Sequence, residues 1–247
     1  DAVSTGVITA ANIETVSATA AKALSVSTIN SSTANKFTTV NLTSTTEGVT
    51  ATTIGLAANT ETLNVTINAA KDISQTGAIN STKVGNISAV STGGTASVAA
   101  AAIVGANATT MGDVTITAKT DAITGTIGNT TLATLGTVSM TSTDGKVAFT
   151  AINAKDTGGI TVNASAKTTI DNGSGVAATV INDGGNITAS LAGAAAAKVN
   201  YTVATKGVVN LTATNTGGLT STITNVSAIA DALTSTITLG NAVATAK

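Results

Sequence analysis

Apolar and polar residues alternate in short runs along almost the whole chain. Val40-Asn-Leu-Thr, Leu63-Asn-Val-Thr-Ile-Asn, Val84-Gly-Asn-Ile-Ser, Val114-Thr-Ile-Thr and Thr234-Ser-Thr-Ile-Thr-Leu are examples. A period of two is that of a β-strand with one buried face, so each run predicts a short strand. The pattern is clearest from Asp144 to Gly193, which divides before each aspartate into units opening at Asp144, Asp156, Asp171 and Asp183. Each unit begins with Asp and one or two nearby glycines, then runs into β-branched and small residues. Asp bonds its own backbone just ahead, and Gly tolerates the positive φ of a tight turn. The aspartates are 12, 15 and 12 positions apart, so two consecutive units cover about 24–27 residues. The rest of the chain reads as looser copies of this turn-plus-strand unit.

Three stretches depart from simple alternation. Ala10 to Leu24 is alanine-rich, with Ile13, Val16 and Leu24 spaced as in one or two helical turns, although its flanks alternate like strands. Val98 to Val104 is a short apolar run whose length favours a buried strand over a helical turn. Val226, Ile229 and Leu233 stand at i, i+3 and i+7, which makes Asn225 to Leu233 the best helix candidate. No Pro-rich or charged linker interrupts the chain. It reads as one elongated domain over residues 1–247, with Gly112 as the place for any division, and as a fragment beginning in mid-pattern.

Strands at this spacing fit two architectures. A parallel β-solenoid winds two or three short strands per coil, and an antiparallel β-sandwich uses hairpins. Composition separates them. The 247 residues include no Cys, Pro, His, Trp or Arg, and the aromatics are Phe37, Phe149 and Tyr201. Sandwiches rely on large aromatic residues in the core and on Pro at the edges. Stacked solenoid turns place like above like, which Val, Ile, Thr and Asn tolerate well. The expected fold is all-β, a parallel solenoid with Gly, Asp and Asn turns and one short helix.

The same composition narrows the chemistry. Without His the commonest general base is missing, and without Cys there is no thiolate or disulfide. Without Arg there is no bidentate phosphate clamp. A net charge of −1 and almost no aromatics argue against a nucleic-acid partner. No apolar run approaches the ~18 residues of a membrane span. Acidic residues stand singly at turns, without the clustered carboxylates of a polysaccharide-cleaving β-helix, so no enzyme is expected. The remaining constellation is the turn aspartates themselves. If Asp144, Asp156, Asp171 and Asp183 stack on one edge, their carboxylates beside turn carbonyls outline a calcium site. Asp is also simply a good turn residue, and the strict nonapeptide Gly-Gly-x-Gly-x-Asp is absent. Thr-x-Thr recurs at Thr115/Thr117, Thr124/Thr126, Thr212/Thr214, Thr222/Thr224 and Thr236/Thr238. Rows of such pairs would order water as an ice-binding surface does, but their spacing is irregular and threonine abundance accounts for most of them. Asn-x-Ser/Thr sequons are as frequent as an Asn- and Thr-rich chain produces by chance.

The Ala-Thr-Val-Asn bulk, the missing residue types, and units such as Asp156-Thr-Gly-Gly-Ile-Thr-Val-Asn-Ala and Asn182-Asp-Gly-Gly-Asn-Ile-Thr-Ala resemble the surface-layer proteins of Gram-negative bacteria exported by type I secretion. The resemblance covers most of the chain and is compositional. It implies a secreted protein that tiles the cell surface as a two-dimensional lattice, with copies of itself as partners. It further implies calcium-dependent assembly and a lipopolysaccharide anchor lying outside this segment. A stalk of a repetitive secreted adhesin is the alternative that the same features allow.

Overall fold

The computed structural model of the chain describes residues 1–31, 37–103, 109–129, 132–145 and 147–153, and beyond them the strand backbones from Asp156–Ala164 to Ala244–Ala246. Every described element is a strand, and the strands pair in parallel. The chain is a β-solenoid. Each turn enters a broad sheet, rounds a corner, crosses a second sheet in two short steps, and returns one level higher.

Among the described residues the broad sheet holds eleven strands, from Thr15–Ala20 to Thr234–Leu239. Two of them, Thr110–Met111 and Val114–Ala118, share a level, so these strands make ten levels. The second, jointed sheet has seventeen described strands. A typical turn gives it two pieces, such as Val49–Ala51 and Ile54–Gly55; elsewhere they fuse, as in Ala122–Gly128.

Register explains why these residues were chosen. In the broad sheet Val16, Val40, Val65, Ile87, Val114 and Val138 lie directly above one another. In the jointed sheet Ile8, Ile29, Ile54, Ile79, Ile103, Ile127 and Ile152 do the same. From Ile29 onward each of these isoleucines is 0% exposed. Burying such a side chain fully is worth roughly 1.5–3 kcal/mol, and a stack repeats that gain at every level. β-Branched side chains suit the role because their χ1 is nearly fixed in a strand. Phe37 and Phe149 are the two largest fully buried side chains among the described residues and belong to the core.

The solenoid expected from the alternation is therefore present, and the sandwich is not. Over Ala10 to Leu24 the strand reading of the flanks holds and the helical turn is corrected: the strand Thr15–Ala20 lies between the ends of Ile8–Ala10 and Leu24–Val26. The helix-like spacing arises because Val16 and Ala20 face inward from one strand and Leu24 faces inward after the corner. Val98 to Ile103 is strand, within Ala96–Ile103, but irregular. The register shifts between Val98 and Ala102, and Ala99 takes φ 47° while its N–H donates to Gln75 Oε1 at 2.5 Å. The helix candidate over residues 226–233 lies outside the described residues, and Asn225 ends the strand Leu219–Asn225. Strands on both sides of Gly112 belong to the same two sheets.

Candidate functional site

The four aspartates proposed as calcium ligands do not share one position on the coil. Asp144 is exposed in the corner after the broad-sheet strand Thr134–Ser142. Asp156 opens the next broad-sheet strand, level with Thr134. Asp171 ends a jointed-sheet strand, level with Ala148. These are three different places around the turn, so the single acidic edge expected from the sequence is not formed by them. Asp183 lies outside the described residues. Among the described residues no group of three or more His, Cys, Asp or Glu side chains comes together. No described helix is long and apolar enough to cross a membrane.

What the Asp-Gly turn does at Asp144 is visible one level down. Its carboxylate meets Lys119 Nζ at 2.8 Å, and its N–H donates to the Lys119 carbonyl at 2.6 Å. Gly145 backs onto the Thr120 carbonyl and the Asp121 carboxylate, where any Cβ would collide. Two turns earlier Gly94 backs onto Asp72 Oδ1 in the same way, but there the lysine pairs in the other direction, Lys71 Nζ meeting Glu47 of the level below at 2.6 Å. The corner thus repeats every second turn. At this corner Ala20, Ala69 and Ala118 alternate up the stack with Ser44, Ser91 and Ser142. Each serine is at most 2% exposed and donates to the carbonyl below it, of Lys22, Lys71 or Thr120. Each also accepts from the N–H three residues on, of Glu47, Gly94 or Gly145. The buried hydroxyl so satisfies one acceptor and one donor that the corner would otherwise strand. The chain signal for this double repeat is the spacing of Lys22, Lys71 and Lys119, which sequence reasoning missed.

The entry edge of the broad sheet carries a second ladder. Asn64 Oδ1 accepts from Asn86 N at 2.9 Å, Asn86 Oδ1 from Asp113 N at 3.0 Å, and Asp113 Oδ1 from Thr137 N at 2.7 Å. Each amide or carboxylate caps the backbone of the turn above, as in other Asn ladders. Asp113 is therefore a structural acceptor. On another corner Asn59, 0% exposed, donates to the Phe37 carbonyl at 2.7 Å and to Ser81 Oγ at 3.2 Å.

Between these edges lies the outer face of the broad sheet. Ser17, Asn41, Thr66, Ser88, Thr115 and Ser139 form one outward column of the broad sheet. Thr19, Thr43, Asn68, Val90, Thr117 and Thr141 form the next. The intervening residues, such as Leu42, Ile67, Ile116 and Met140, are buried, which fixes the outward sense of the two columns. The backbone register continues through Thr161, Thr188, Asn210 and Thr236. Sequence reasoning saw only irregular Thr-x-Thr pairs. Folding sorts them: Thr115/Thr117 and Thr236/Thr238 join these columns, whereas Thr222/Thr224 belongs to the jointed sheet, and Thr124 there is buried. Advances of 22 to 27 residues along the chain become one uniform level because corners absorb the difference.

No family description matches this sequence, and neither the characterised proteins nor the solved structures give a significant match.

Proposed function

We propose that this chain is a structural module of a bacterial surface layer, secreted to the cell surface and assembling with copies of itself into a two-dimensional lattice. The supporting observation is the broad sheet: level after level of neutral Ser, Thr and Asn columns on a body held together by stacked Val and Ile. Such a body suits a building material. Its backbone bonds run along the stack, its side chains are short, and its near-neutral charge permits dense packing without strong repulsion. Calcium is the assembly ion that the surface-layer resemblance implies.

The test is to incubate the purified chain with calcium or with a chelator and inspect it by electron microscopy. Ordered sheets are the expected result, more extensive with calcium. Monodisperse particles under both conditions would contradict the lattice and favour an adhesin stalk. Sheets that form equally with chelator would remove calcium from the account and leave the lattice.

A further inference from the structure

We propose that two copies of this chain pair through the outer faces of their broad sheets, related by a two-fold axis; this rests on the self-assembly reading above and names its contact surface. Charge is the first argument. None of the twelve column positions from Ser17 to Thr141 is charged, whereas charges line both borders. Lys83 and Asp113 stand at the entry edge, and Glu47, Lys71, Lys119 and Asp144 at the exit corner. Depletion of charge at the centre, within a polar and charged rim, is one feature of protein interfaces.

The second argument is shape. Val90 is the one apolar residue in the two columns, and it is half-buried between two surface hollows. One hollow is lined by Ser44, Asn68 and Thr92, the other by Thr117, Lys119 and Thr143. In an isologous contact the Val90 ridge of each copy can enter a hollow of the other, giving the interface an apolar anchor beside its exit-corner border.

The third argument is chemical and concerns area. Hydroxyls and carboxamides both donate and accept, so like columns facing each other can satisfy one another's polar groups when water leaves. Short Ser, Thr and Asn side chains let two sheets approach to about 10 Å, as in interdigitated sheet pairs. Ten levels at about 4.8 Å and five consecutive strand residues at about 3.3 Å, alternately facing out and in, give a face on the order of 700–800 Å². A stable pairing buries about 800 Å² per partner.

Sedimentation analysis of the full chain tests this, with Val90→Lys and Ser139→Lys as interface variants, Val90→Thr as the conservative one, and Thr50→Lys on the exposed jointed-sheet face as control. Circular dichroism checks that each keeps its β-sheet signal. The unmodified chain, Val90→Thr and Thr50→Lys should associate alike, while either lysine variant should weaken association about thirtyfold or more. An unmodified chain that associates while both folded lysine variants associate equally well would assign the contact to another surface and leave the lattice reading standing. If one lysine variant fails to fold, the other decides. An unmodified chain that stays monomeric at every concentration, with and without calcium, overturns both. A monomer that shapes growing ice, with the activity lost in Ser139→Lys, would give this face to ordered water and overturn the pairing.

Discussion

Ser44, Ser91 and Ser142 do the same work at alternate corners, and each depends on residues about one turn earlier in the chain. Replacing Ser91 with Ala leaves the Lys71 carbonyl and the Gly94 N–H without their partner. Stability should fall by about 1–3 kcal/mol in urea unfolding, the usual cost of stranding a buried polar group. Gly94→Ala should cost a similar ~1–3 kcal/mol by forcing a Cβ against Asp72 and the backbone beside it. Lys71→Ala should cost under about 1 kcal/mol, because both partners of its ion pair are well exposed. Here the limit of sequence reading is plain. The Asp144-Gly145 turn is legible as a turn, yet the need for that glycine comes from the Thr120 carbonyl and the Asp121 carboxylate, and the partner of Asp144 is Lys119. Neither is near in sequence. Asp144, Asp156 and Asp171 teach the same lesson: equal appearance along the chain does not mean equal phase around the coil.

At the scale of the strand, much was legible because alternation is a local property. Val40, Leu63, Val84, Val114 and Thr234 all begin or lie within strands where the pattern placed them. The corner near Ala21 misled, since an inward residue before a bend and another after it imitate helical spacing. The isoleucine stack was present in the sequence at intervals of 21 to 25 residues but was masked by the general abundance of β-branched residues. It yields a graded prediction. Ile79 is fully buried between Ile54 and Ile103. Ile79→Val should cost about 0.5–1.5 kcal/mol and Ile79→Ala about 2–5 kcal/mol, read from denaturant midpoints, since the neighbours above and below cannot collapse into the gap.

For the whole molecule, the solenoid makes length modular. Val65 and Ile87 occupy equivalent positions on adjacent levels, so deleting residues 65–86 joins Asn64 to Ile87 in phase. That variant should fold cooperatively, with a smaller urea m-value in proportion to its lost surface. Deleting only residues 65–75 should abolish cooperative unfolding, because it sets a jointed-sheet segment where a broad-sheet strand belongs. The account rests on equivalent residues lying one level apart per turn, and the cysteine-free chain allows that to be measured directly. Spin labels on introduced cysteines at Thr19 and Thr117 are four levels apart, and at Thr19 and Thr141 five. Pulsed electron resonance should give about 19 Å for the first pair and about 24 Å for the second, one strand spacing more. Distances that do not rise by that step, or a second pair closer than the first, would contradict the stacked parallel coil.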